Sequence, residues 1–62
     1  MEIKERLKRA GKTQVWLIKE LKQWNVRTNP SELSMVLSGV VDYPKADYII
    51  KTSEDILDCY GY

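Results

Sequence analysis

The chain has 62 residues, with ten Lys or Arg against nine Asp or Glu for a net charge of +1, one cysteine (Cys59) and no histidine. A chain of this size buries only ~60% of the surface its unfolded form exposes, so it has room for one core and little for an enclosed active site. A single cysteine excludes an intramolecular disulfide, and the lack of histidine leaves a zinc site short of ligands.

The small net charge conceals an asymmetry. Residues 1–28 carry eight Lys or Arg against three acids, whereas residues 29–62 carry two Lys against six acids. The apolar runs fall far short of the roughly 20 residues that span a bilayer, and the charged start MEIKERLKRAG lacks the apolar stretch of a signal peptide. A single cytoplasmic domain that does not engage membranes is the expectation, whether the chain is natural or a recombinant product.

In residues 2–10, Ile3, Leu7 and Ala10 recur at helical spacing, with Glu2 and Arg6, and Glu5 and Arg9, as supporting i,i+4 pairs. Gly11 ends this first helix. Thr13 is placed to cap a second, whose buried face is Leu17, Ile18 and Leu21 and which runs to about Gln23. Asn25 suits a left-handed terminator, and Val26 is expected to plug the core from the turn.

The third helix is the best specified. Asn29 is its cap, Pro30 its first residue, and Glu32 stands three residues after the cap in a capping-box arrangement. Leu33, Val36 and Leu37 form an apolar stripe, Gly39 closes the helix, and Ser31, Ser34, Met35 and Ser38 occupy the other side. After a connection over 40–43, Pro44 begins a fourth helix. There Ala46, Ile49, Ile50, Ser53, Ile56, Leu57 and Tyr60 keep helical spacing, with Asp47 and Lys51 as a supporting pair. The expectation is one helix to about Tyr60, with Ser53 as a possible restart point.

This order of elements, with GKTQVWLIKEL followed after a turn by NPSELSMVLSG, resembles the phage-type helix-turn-helix regulators of the Cro and repressor class. The similarity is closest to the very small regulators of Gram-positive phages and prophages, and extends from about Glu2 to Leu57. Its carriers are Thr13 and Gln14, Leu17 and Leu21, Val26, the segment 31–34, Ser38 with Gly39, and Tyr43-Pro44-Lys45-Ala46. The resemblance implies a compact all-α, four-helix helix-turn-helix domain filling residues 1–62. It further implies that Gln14 contacts a phosphate and that Thr28, Asn29, Ser31, Ser34 and Met35 face base edges, often in a dimer that reads two half-sites; in the same DNA-binding reading Arg27 is a candidate phosphate contact.

Two features depart from that pattern. Met35 offers only apolar contact where a polar reader is common, and Asp42 and Asp47 bring negative charge that opposes phosphate. The same region gains Trp24, Met35, Val41 and Tyr48, a composition suited to a protein interface, with Asn29, Asp42 and Asp47 as its polar rim. The favoured reading is therefore a helix-turn-helix scaffold whose outward face is adapted, by design or selection, to bind another protein. A sequence-specific DNA-binding regulator is the alternative, and self-association through the same patch is a third reading.

Plainer structural roles stand beside these. Trp24, three residues after Leu21, serves equally as a lid on the core, and Trp16 packs against a neighbouring element. Met35 and Tyr48 also fit as solitary exposed apolar residues, and Tyr43 fits a structural place beside Pro44. Lys12, Lys19 and Arg27 belong either to a solvated face or to phosphate contacts, and Asp42 and Asp47 equally suit the start of a helix. Glu54, Asp55 and Asp58 read as a charged helix face, not a metal site. Without a histidine base, a phosphate loop or an acid/base pair, the chain reads as a non-enzyme with no cofactor.

Overall fold

Each of the four helices stops by the same hydrogen-bonded device, and these stops set the architecture. The computed structural model describes residues 3–62, and these form α1 (Ile3–Ala10), α2 (Gln14–Gln23), α3 (Pro30–Leu37) and α4 (Pro44–Tyr60) with no strand among them. At the four ends, the N–H groups of Lys12, Val26, Val40 and Tyr62 donate back to the carbonyls of Leu7, Leu21, Met35 and Leu57 at 2.8–3.1 Å. The residue before each donor is left-handed: Gly11, Asn25, Gly39 and Gly61 have φ of 70°, 64°, 74° and 79°. Asn25 is the sole non-glycine residue of the four, as expected for a short polar side chain that tolerates this region.

The starts follow the sequence as well. Thr13 Oγ1 accepts from the Trp16 N–H at 3.2 Å, and Asn29 Oδ1 accepts from the Glu32 N–H at 2.7 Å. The capping box at α3 is only half formed, because the Glu32 carboxylate turns away from the Asn29 N–H. It accepts instead from Thr28 Oγ1 at 2.7 Å and from the Tyr43 hydroxyl at 3.1 Å, with Lys45 Nζ 3.3 Å away. Glu32 thus ties α3 to the first turn of α4, a stronger use of its charge than a local cap. Pro44 opens α4 without any side-chain cap, since Tyr43 at the cap position directs its hydroxyl to Glu32.

One core joins the four helices. Ile3 and Leu7 of α1, Leu17 and Leu21 of α2, and Leu33 and Val36 of α3 meet Ala46, Ile49, Ile56 and Leu57 of α4, with Val26 filling the turn. α4 packs against each of the other three, and α2 also packs on α3. The molecule is 17 Å across its thinnest axis, space for less than two full helix diameters, so every helix gives one face to this core and the other to solvent.

Several expectations shift. The Glu2–Arg6 pair lies outside the described residues. Glu5 and Arg9 are 3.9 Å apart, whereas the ion pairs among the described residues do not include Asp47 with Lys51. Arg6 reaches Asp58 of α4 at 2.6 Å. In α4 the helix continues through Ser53 without a break; Thr52 joins the buried face, and Tyr60 leaves it, 50% exposed. Tyr60 instead meets two residues of α2, with its ring against Trp16 and its hydroxyl on Glu20, at the edge of the core.

Candidate functional site

The outward face of α3 is built by its register. Leu33 and Val36 are fully buried, and Met35, two residues on from Leu33, is rotated about 200° around the axis and is 43% exposed. Ser31, Ser34 and Ser38 are exposed beside it. The face carries no Lys or Arg, and the acid of the helix, Glu32, is drawn inward with its side chain 19% exposed. The Thr28 hydroxyl, the buried setting, Lys45 and Tyr43 act on that carboxyl, and their net effect lowers its pKa from the ordinary 4.5. Its ionised form is the one the fold uses. Tyr43 is affected in the reverse sense, its pKa raised by burial and by the facing carboxylate.

Cations bracket this face at both ends. Beyond the start of α3, a depression of about 310 Å³ is lined by Ile18, Lys22, Arg27 and Thr28. Beyond its end, Lys4 Nζ donates to Ser38 Oγ at 2.9 Å, and Lys4 also lines a second depression of about 320 Å³ with Leu7, Lys8, Lys12 and Gln14. Gln14, the first residue of α2, therefore sits among three lysines. The first depression meets the start of α3 through Thr28, and the second is tied to its end through the Lys4–Ser38 hydrogen bond.

The residues of the DNA-facing set divide accordingly. Gln14 falls in one depression, Arg27 and Thr28 in the other, and Ser31, Ser34 and Met35 on the exposed helix between them. Thr28 is half-buried, with its hydroxyl committed to Glu32, so it positions α3 and has no free donor for a base. Asn29 is exposed, but its Oδ1 is likewise committed to the cap.

The apolar set is more dispersed than its sequence order implies. Trp24 is at the end of α2 and 42% exposed. Val41, assigned to the interface, is half-buried and packs against the core, because the connection after Gly39 folds one of its two valines inward and leaves Val40 72% exposed. Tyr48 is 57% exposed, and stands two residues after buried Ala46. Met35 and Tyr48 thus face outward from two different helices that pack against each other. The Val40 N–H donates to the Met35 carbonyl, so exposed Met35 and Val40 also belong to the stop of α3. Asp42 and Asp47 are both exposed, Asp47 in the first turn of α4, where the helix dipole favours it.

Two groups escaped the sequence reading. One is the lysine row: neither Lys4 nor Lys8 stands out in the sequence, although their i,i+4 spacing, continued by Lys12, is the signal for one row. The other is an aromatic cluster made by residues distant in sequence. Trp16 meets Tyr60 at 5.4 Å between ring centroids and Tyr62 at 6.0 Å, and Tyr60 and Tyr62 stack at 5.5 Å with 11° between planes. The Tyr60 hydroxyl donates to Glu20 Oε1 at 2.7 Å, and that bond is the first cause of its raised pKa.

Comparison of the chain with family models, with curated proteins and with solved structures finds no match.

Proposed function

We propose that this chain is a helix-turn-helix module of the phage-repressor type that binds duplex DNA, with α3 as the helix that enters the major groove. The observation that carries the reading is the placement of cations about α3: Lys22 and Arg27 line a depression with Thr28 at its start, Lys4 donates to Ser38 at its end and shares a depression with Lys8 and Lys12, and the exposed face of α3 itself is neutral and serine-rich. Phosphate contacts supply affinity and register, whereas groove contacts carry the sequence preference. Five flanking cations serve the first role. Ser31 and Ser34 serve the second by hydrogen bonding, and Met35 by apolar contact with thymine methyls. In this reading, base readout falls to short polar and apolar groups, as the absence of Lys and Arg on α3 suits.

Ser34→Glu tests this assignment, because it puts a charge in the groove without touching the core. Duplex binding by fluorescence anisotropy is expected to fall at least tenfold with the helical circular dichroism unchanged. Unchanged affinity would remove α3 from the interface.

Exposed Trp24, Met35 and Tyr48 favour a second reading, a protein-binding module or a self-associating one. It requires the three to be covered together, although they project from three elements. Trp24→Ala and Tyr48→Ala are then both expected to abolish a concentration-dependent rise in sedimentation coefficient. A monomer at all concentrations would rule out self-association.

A further inference from the structure

The lysine row and the aromatic cluster share one residue. Lys12 lines the depression with Lys4, Lys8 and Gln14, and its ammonium lies 5.5 Å from the Trp16 ring centroid and 5.8 Å from that of Tyr62. A cation at that distance is attracted by the ring face, which fixes the rings beside the row of charges. The tyrosine stack is also fixed from the other side, where Tyr60 is hydrogen-bonded to Glu20 of α2. Yet the stack does not serve the core: Tyr60 and Tyr62 remain 50% and 39% exposed. The result is a pair of near-parallel, partly exposed rings with the Lys12 ammonium beside them and Lys4 and Lys8 in the adjoining depression.

Phosphates follow cations and bases stack on π-faces, so a charged row that leads onto an exposed ring stack matches the alternating chemistry of a single strand. A duplex cannot use the rings in this way, since its bases already stack on one another inside the helix. We propose that Lys4, Lys8 and Lys12, together with the exposed Tyr60–Tyr62 stack, form a site for single-stranded nucleic acid. The lysines hold successive phosphates, and the tyrosine stack receives a base. The site shares its lysines with the duplex interface proposed above, but it uses none of the α3 side chains and stands if that interface fails.

The test uses the full chain and a fluorescein-labelled oligothymidylate of about twelve nucleotides, within the range one small domain covers. Anisotropy is expected to report binding whose logarithmic salt dependence has a slope of roughly −2, from ~0.7 per phosphate neutralised at three lysines. Tyr62→Ala is expected to weaken binding by about 5- to 150-fold, the loss of one base stack, and Tyr62→Phe to retain it, because stacking needs the ring and not the hydroxyl. In a Trp24→Phe background, the oligonucleotide is expected to quench Trp16 emission. Wild-type affinity in Tyr62→Ala would overturn the proposal. So would polyphosphate competing as well as the oligonucleotide, charge for charge, since it has no bases. Ser34→Glu separates the two interfaces: it is expected to remove duplex binding and to leave oligothymidylate binding intact.

Discussion

The Thr28 hydroxyl donates to Glu32 Oε1 at 2.7 Å, and this contact fixes the approach to α3 across its first turn. Because Tyr43 and Lys45 meet the same carboxylate from the side of α4, one ionised group holds the turn, α3 and α4 in register. Its pKa is lowered in the folded state, so the associated stability is complete above the ordinary value of 4.5 and is lost as the pH falls through the folded value. Glu32→Gln is expected to cost about 1 kcal/mol at pH 7, a fall of roughly 4–8 °C in melting temperature for a domain of this size. The difference between variant and wild type is expected to shrink progressively as the pH falls below 4.5. Melting curves by circular dichroism over a series of acidic pH values check it, and a difference that does not diminish with falling pH would mean that charge is not what Glu32 contributes.

Leu33 and Met35 lie on opposite faces of one helix, and their replacements should behave oppositely. Leu33→Ala opens a cavity under a fully buried side chain and is expected to cost about 2–5 kcal/mol, a large part of the stability of so small a domain. Met35→Ala is expected to change stability by less than about 0.5 kcal/mol. Urea unfolding of both variants gives the comparison, and a large loss in Met35→Ala would mean that this residue packs inward.

Ser53 is fully buried on α4, and its hydroxyl has no hydrogen-bond partner. An unsatisfied buried polar group costs about 1–3 kcal/mol, so Ser53→Ala is expected to raise the urea midpoint, by about 1 kcal/mol in free energy, with an unchanged slope. A lower midpoint would show that the hydroxyl is satisfied in solution.

The features legible in the sequence were those decided within one turn of helix. Thr13 and Asn29 as caps, Asn25 as a left-handed stop, Val26 as a plug and Pro44 as a helix start all depend on neighbours a few residues away, and each is found where the residues place it. Contacts between distant residues were not legible. Glu32 has a local partner at Asn29 by pattern, but Tyr43, eleven positions on, competes for it in the folded chain. Tyr60 follows the apolar spacing of α4, yet only the packed helices reveal that the core ends before it and that Trp16 meets it. The candidate site shows the same division. The polar face of α3 follows from periodicity, whereas its cationic flanks depend on how Lys4 meets Ser38 and how Gln14 falls among three lysines.

The placement of cations about α3 is tested most directly by the salt dependence of duplex binding in the wild-type chain. With Lys4, Lys8, Lys12, Lys22 and Arg27 each neutralising a phosphate, log K against log salt is expected to fall with a slope of roughly −4 to −5, about 0.9 per contact. Failure to bind duplex at low salt, or a slope near zero, would contradict the account.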